Sequence, residues 1–487
     1  MAPPRIRITA STGWEVLTPP ARTRSLAAET DPFLERVLGD GRLALAGVRS
    51  ARPRRGAPIR PGSLDARVEA PAAPGWVLVA RHPSGALTFH AASAIEGGAH
   101  RFEVRFAPQS LPRRGPGAVL RVFLLRFAGA VAGALLPALA RAWEKRRFKE
   151  ARIPLGLVGL SLQDGKLVAS RIPRASRPGA PARSLLFLHG TFSHASAAFS
   201  DLARDGAFET LSKLYEGRVF AFNHLTVGYS PDENVKALVA AVRGSSLGSS
   251  PDSGLDVVTH SRGGLVARLL ASSDRAPRLH RVFLAASPNE GTPLASPARW
   301  DRLAAWLANL GEMFAGGPLA FGLDFAAEAL VWMASRAGGT LPGIAAMDPA
   351  GGFLEKLNAA SARPYEVAAA IARYEPHGSA ARRLLDAAAG VFFEDPNDLV
   401  VPTEGGARLG EAPPVPAENV IRFGPGGNAG AGTIVHHLNL FAQRATREGI
   451  RDFLEGKKRE KTPYSPDVRR QGRASRAAQR SKTLDTG

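Results

Sequence analysis

From Ser184 onward, short uninterrupted apolar runs alternate with stretches whose apolar residues recur at helical spacing, and no other feature constrains the chain as much. The runs are Ser184-Leu185-Leu186-Phe187-Leu188, Arg218-Val219-Phe220-Ala221-Phe222, Leu255-Asp256-Val257-Val258 and Arg281-Val282-Phe283-Leu284-Ala285. Between them lie helical patterns over 234–243 and 263–270. A strand covered on one face alternates apolar and polar residues, whereas one covered on both faces is apolar throughout. The rhythm therefore predicts an α/β domain over 184–455, with a mostly parallel central sheet flanked by helices and ligands at the carboxyl ends of its strands.

The segments before it read differently. Residues 76–81 and 101–106 alternate at period two, predicting a β-rich N-terminal region over 1–115. Residues 116–183 read as a helix over 119–149, a hairpin whose turn contains Asp164-Gly165, and a Pro/Ser/Arg-rich link. Inside the α/β domain, residues 298–360 break the rhythm with Trp300, Trp306, Leu310, Phe314 and Trp332 and few charges. Such a stretch is either core or a helical cap over the site; a cap insertion is the expectation. The last segment, 456–487, holds ten basic and three acidic residues over 457–487 with almost no large apolar side chain, and reads as a disordered tail.

Composition removes whole classes of function. With no cysteine, disulfides, thiol nucleophiles and Cys-ligated metals are excluded. The histidines show no metal-ligand spacing, so neither metal nor cofactor is implied. The formal charge of +20 suggests an anionic partner, but 53 of the 63 cations are arginines scattered through an Ala/Gly/Pro-rich chain, with no basic stripe bearing aromatics. No specific nucleic-acid partner is expected, and the tail's partner stays open. The first residues lack an apolar leader, and the longest charge-free apolar run near the front, 127–140, is fourteen residues where a span needs about 20. A cytoplasmic protein is expected, with peripheral membrane contact through 120–127 kept open.

Chemistry concentrates in four places. Leu255 to His260, then Ser261-Arg262-Gly263-Gly264, reads as strand, sharp turn and helix start. This is the setting of a nucleophile elbow, except that Thr259 occupies the first glycine position. Ser261 on a strained turn needs small neighbours, which Gly263 supplies. Leu188-His189-Gly190-Thr191-Phe192 follows another strand, where an oxyanion hole belongs; its donors are the amide of Thr191 or Phe192 and that of Arg262. His189 is expected to anchor this loop, and His194 and His224 to have loop or packing roles. Among Glu394, Asp395 and Asp398, Asp398 is the preferred acid because an apolar Leu-Val-Val-Pro segment follows it directly. Of His436 and His437, at the expected opening of the last helix, His437 is the preferred base.

With His189-Gly190-Thr191, Thr259-His260-Ser261-Arg262-Gly263-Gly264, Asn397-Asp398-Leu399-Val400-Val401-Pro402 and His437-Leu438-Asn439-Leu440-Phe441 in that order, residues 184–455 resemble the lipase-like α/β-hydrolases. Ser287-Pro288-Asn289-Glu290-Gly291-Thr292-Pro293-Leu294 is similar to a segment of bacterial lipases. The resemblance implies an α/β-hydrolase fold and a bacterial serine hydrolase acting on small-molecule or lipid carboxylic esters, with Ser261, Asp398 and His437 as its triad. Acyl transfer and amide hydrolysis stay open on the same groups. So does a non-catalytic interaction protein, which predicts a lost triad member where none is missing.

Overall fold

The computed structural model describes residues 5–12, 14–17, 42–50, 62–69, 76–81, 87–91, 94–96, 99–106, 120–126, 136–172, 183–243, 254–296, 341–360, 365–375, 395–429 and 434–457. Most of the expected cap (298–340), Glu394 and the tail from 458 lie outside the described residues.

The N-terminal region is built from β1 (Arg5–Ala10), β2 (Trp14–Leu17), β3 (Arg42–Ser50), β4 (Gly62–Glu69), β5 (Trp76–Arg81), β6 (Leu87–Ala91), β7 (Ala94–Glu96), β8 (Ala99–Phe106) and β9 (Leu120–Arg126). They form two antiparallel sheets, ordered β1-β4-β8-β7 and β2-β3-β9-β5-β6, which touch through β8 against β5 and β6 and through β1 against β2 and β3. Period two sorts the side chains. Leu64, Ala66 and Val68 on β4 are fully buried opposite Phe102 and Val104 on β8, while Asp65 and Arg101 between them pair at 2.6 Å. The β-rich expectation holds, but the region runs past 115. Residues 120–126 form the central strand of the five-stranded sheet rather than the start of a helix, which also removes the membrane-surface helix considered there. Leu-Arg-Val-Phe-Leu-Leu-Arg carries a β-branched and an aromatic residue, and pairing on both edges by β3 and β5 decides the conformation.

The first helix among the described residues, α1 (Leu136–Glu150), buries Ala140, Trp143, Glu144 and Phe148 along one stripe. It leads into β10 (Gly156–Gln163) and β11 (Lys166–Arg171), joined by Asp164 and Gly165 at φ 49° and 71°. Both positive values mark the turn that matches strand twist. The remaining strands are β12 (Ser184–Leu188), β13 (Val219–Asn223), β14 (Leu255–His260), β15 (Leu279–Ala285), β16 (Glu366–Ala372) and β17 (Val420–Phe423). Together they form one sheet ordered β11-β10-β13-β12-β14-β15-β16-β17, parallel from β13 to β17. The hairpin thus belongs to the α/β domain, because β10 pairs antiparallel with β13.

Alternation along each strand divides the core into two layers. Leu185 and Phe187 meet Phe208 and Leu211 of α2 (Ala207–Leu214) and Ile450 and Phe453 of the C-terminal helix on one face. Leu186 and Leu188 meet Leu238 and Val242 of α3 (Pro231–Arg243), and Val266 and Leu270 of α4 (Gly263–Ala271), on the other. A short α5 (Gly352–Asn358) follows, and α6 (Arg444–Glu455) closes the domain. His189, His224, Ser261 and Ala286 follow β12, β13, β14 and β15 directly, so four strand ends converge on one rim.

Candidate active site

The sharp strand-to-helix turn expected at Ser261 is present in the backbone. Ser261, between the end of β14 and the start of α4, has φ 53°, a left-handed value that costs a non-glycine residue about 1–3 kcal/mol and is held by the surrounding structure. Its amide donates to the Ala285 carbonyl at 2.8 Å. Crowding explains the glycines: a Cβ on Gly263 would lie 2.1 Å from the Leu188 carbonyl oxygen, and one on Gly264 would lie 1.9 Å from Ser287 Oγ. Thr259 fits where a glycine was expected because its hydroxyl donates to the Phe283 carbonyl on β15 (3.2 Å), so no buried polar group is orphaned.

Asp398 and His437 are joined. Asp398 is 2% exposed, and its Oδ1 accepts the amides of Val400 (3.0 Å) and Val401 (2.7 Å). Its Oδ2 accepts Nδ1–H of His437 at 2.9 Å, and its carbonyl accepts the His437 amide, also at 2.9 Å. With the proton on Nδ1, Nε2 of His437 is left as an acceptor. His260, beside Ser261, donates from Nε2 to the His437 carbonyl (2.9 Å), with the two rings 5.0 Å apart. The strand that carries the serine therefore also holds the histidine loop. Asp395 is exposed. His436 points its Nδ1 to the Leu438 amide (3.3 Å) and packs edge-on against Tyr374, and burial pulls its pKa down to about 4. Both histidines sit in turns, since the last helix begins only at Arg444; buried Val435, Leu440 and Phe441 fix these turns against the core.

The loop after β12 lies against the serine. A Cβ on Gly190 would come within 2.7 Å of Ser261 Cβ and 3.2 Å of the His260 carbonyl oxygen. His189 anchors it: Nδ1–H donates to the Gly190 carbonyl (2.9 Å), Nε2 accepts the His224 amide (3.1 Å), and the His224 ring stacks 4.2 Å away. Burial pushes both rings far below the ordinary histidine range, His224 to about 3, and does the same to His194, at about 4, so all are neutral. Of the two amides expected to serve as the first oxyanion donor, that of Phe192 is engaged by Thr226 Oγ1 at 3.1 Å.

Sequence reasoning missed several residues around this loop. The Arg262 side chain is fully buried and donates to the carbonyls of Gly343 (3.1 Å) and Tyr229 (2.7 Å) and to Asn234 Oδ1 (2.9 Å). Burial lowers its pKa to about 10, so it stays charged at neutral pH, with Glu144 the largest opposing influence. Glu144, from α1, accepts hydrogen bonds from Thr226, Val227 and Gly228. No short-range signal marks Glu144, which lies 82 residues from Thr226. Among the described residues, no cluster of His, Asp and Glu could hold a metal, and no helix is long and apolar enough to cross a membrane.

A mostly parallel sheet, a serine on a strained strand-to-helix turn, and an aspartate and histidine following it in the chain define the α/β-hydrolase fold. A family model described as a domain of unknown function, DUF7379, matches residues 162–455, and the chain belongs to that family. No curated protein matches the sequence. Among solved structures, the fold is similar to lipase 1 from Pelosinus fermentans (12% identity, 56% of this chain and 98% of that one, TM-score 0.35). Similar too are a metagenomic carboxyl esterase (19%, 60% and 83%, 0.32) and an esterase from Exiguobacterium antarcticum (12%, 56% and 92%, 0.31).

Proposed function

We propose that this protein is a serine hydrolase that cleaves small-molecule or lipid carboxylic esters through an acyl-enzyme on Ser261. The observation that carries the proposal is the buried pair in which Asp398 fixes His437 with its proton on Nδ1. As Ser261 Oγ attacks the ester carbonyl, its proton passes to His437 Nε2, and Asp398 stabilises the imidazolium without taking the proton. The amides of Thr191 and Arg262 receive the negative oxygen, a contribution of about 2.7–4 kcal/mol per donor in such sites. Collapse breaks the ester C–O bond, and His437 returns the proton to the departing alkoxide. Water then attacks the acyl-serine, giving its proton to His437, and the carboxylic acid leaves as Ser261 is reprotonated.

A fluorophosphonate probe tests this without knowledge of the substrate, since it reacts only with an activated serine. Stoichiometric labelling should map to Ser261 and disappear in Ser261→Ala together with hydrolysis of p-nitrophenyl esters. Labelling of another serine, or none, overturns the proposal.

A further inference from the structure

On α1 the buried stripe Ala140, Trp143 and Phe148 includes one carboxylate, Glu144. Burying a lone carboxylate is strongly unfavourable unless its oxygens are satisfied. Here Oε1 accepts the amides of Thr226 (2.5 Å) and Val227 (3.0 Å) and the Thr226 hydroxyl (3.0 Å), while Oε2 accepts the Gly228 amide (2.9 Å). Three successive amides converge on one carboxyl group. The loop that offers them is pressed against α1: a Cβ on Gly228 would stand 2.6 Å from the Arg141 amide nitrogen. From its other end, the loop is gripped by Arg262 through the Tyr229 carbonyl and through Asn234, whose amide reaches back to the Leu225 carbonyl (3.0 Å).

The consequence runs through the Thr226 hydroxyl. Because it donates its only proton to Glu144, its lone pairs are free to accept, and they receive the Phe192 amide at 3.1 Å. That fixes the peptide following Thr191 and holds Phe192 at φ 58°, a left-handed value for a non-glycine residue. Thr191 supplies one proposed oxyanion donor; Arg262, whose guanidinium shares Glu144's buried surroundings, supplies the other. We infer that Glu144 is a positioning residue for the oxyanion hole, holding Thr191 through Thr226 and Phe192. The inference rests on the serine-hydrolase proposal. It places a necessary part of the site on a helix outside residues 162–455, the span that defines the family.

The experiment compares Glu144→Gln, Thr226→Val, Thr226→Ser, the double variant E144Q/T226V and Ser261→Ala in the full chain, measuring kcat and KM on p-nitrophenyl acetate beside thermal melts. Glu144→Gln turns an NH2 toward a backbone donor, and Thr226→Val removes the acceptor of the Phe192 amide. Loss of an oxyanion donor lowers kcat ~10²–10³-fold, so a displaced one should lower it about ten- to a hundredfold, with KM changed less than about threefold. Thr226→Ser, which keeps the hydroxyl, should recover kcat to within about threefold of the parent. The double variant should be no worse than the poorer single one, because both break one relay. If Glu144→Gln does not fold, the Val/Ser pair at 226 decides. The inference falls if Thr226→Val keeps its kcat, if Thr226→Ser is equally damaged, or if the two losses multiply. Activity in Ser261→Ala would instead overturn the hydrolase proposal itself.

Discussion

Asp398→Asn keeps the shape of the side chain, and its surroundings dictate how the new amide turns. Oδ1 is held by the amides of Val400 and Val401 at 3.0 and 2.7 Å, so the asparagine oxygen must stay there. Turning the amide over would aim its NH2 at two backbone donors. Each buried group left unsatisfied costs about 1–3 kcal/mol, so this orientation is disfavoured by roughly 2–6 kcal/mol. The NH2 therefore faces His437 Nδ1 at the present 2.9 Å, and a donor there demands that Nδ1 be an acceptor. The ring proton moves to Nε2, the atom that must take the proton of Ser261. The same change in serine proteases lowers kcat ~10⁴-fold, about 5.4 kcal/mol of transition-state stabilisation. Rates on p-nitrophenyl acetate for Asp398→Asn, beside Asp395→Asn at the exposed neighbouring carboxylate, check this. Activity of Asp398→Asn within about tenfold of the parent would refute the tautomer reasoning.

Gly190→Ala should lower kcat/KM about a hundredfold, because relieving a 2.7 Å contact with Ser261 Cβ shifts the serine or its loop by roughly 0.7 Å; Gly159→Ala, whose Cβ meets nothing closer than 3.9 Å, should behave as the parent. His437→Ala should lose several orders of magnitude in turnover and His436→Ala far less, with the reverse ranking in steady-state rates excluding His437 as the base. Stability should fall on acidification. His189, His194, His224, His260 and His436 are all held by burial below their unfolded value of 6.5. The unfolded chain then binds more protons than the folded one below that pH. Their contribution is complete above pH 6.5 and is lost progressively as pH falls towards about 4, where His194, His260 and His436 titrate in the folded state. Each such histidine should remove about 2 kcal/mol by pH 5, offset in part by Glu144 and Asp256, whose carboxyl pKa values burial raises; a denaturant midpoint that rises between pH 7 and 5 would contradict the neutral buried rings.

The sheet and the elbow were legible because their cause is local. A strand covered on both faces must be apolar throughout, as in Leu185–Leu188 and Val257–Val258, and a serine after such a run followed by two glycines leaves little choice of turn. Asp398 was favoured by the apolar segment behind it, and that segment's amides are indeed what hold Oδ1. Other features depend on partners distant in sequence. Residues 120–126 become a strand because β3 and β5 pair with them from 72–83 and 40–50 residues earlier, where an apolar run followed by a helical pattern reads as helix. The turns at 434–443 read as the opening of the helix behind them because Val435, Leu440 and Phe441 are apolar core residues that run directly into its pattern. Glu144 had no signal at all: a glutamate in an amphipathic helix is ordinary until a loop 82 residues away presents three amides to it.

The proposed reaction passes through a covalent acyl group on Ser261. Rapid mixing with excess p-nitrophenyl acetate, acid quench and peptide mapping by mass spectrometry measures it directly. The expected result is a burst of p-nitrophenol near one equivalent, with acetyl on the peptide containing Ser261 and absent from Ser261→Ala. Steady turnover with no burst, Ser261 unmodified throughout and Ser261→Ala as active as the parent would contradict it.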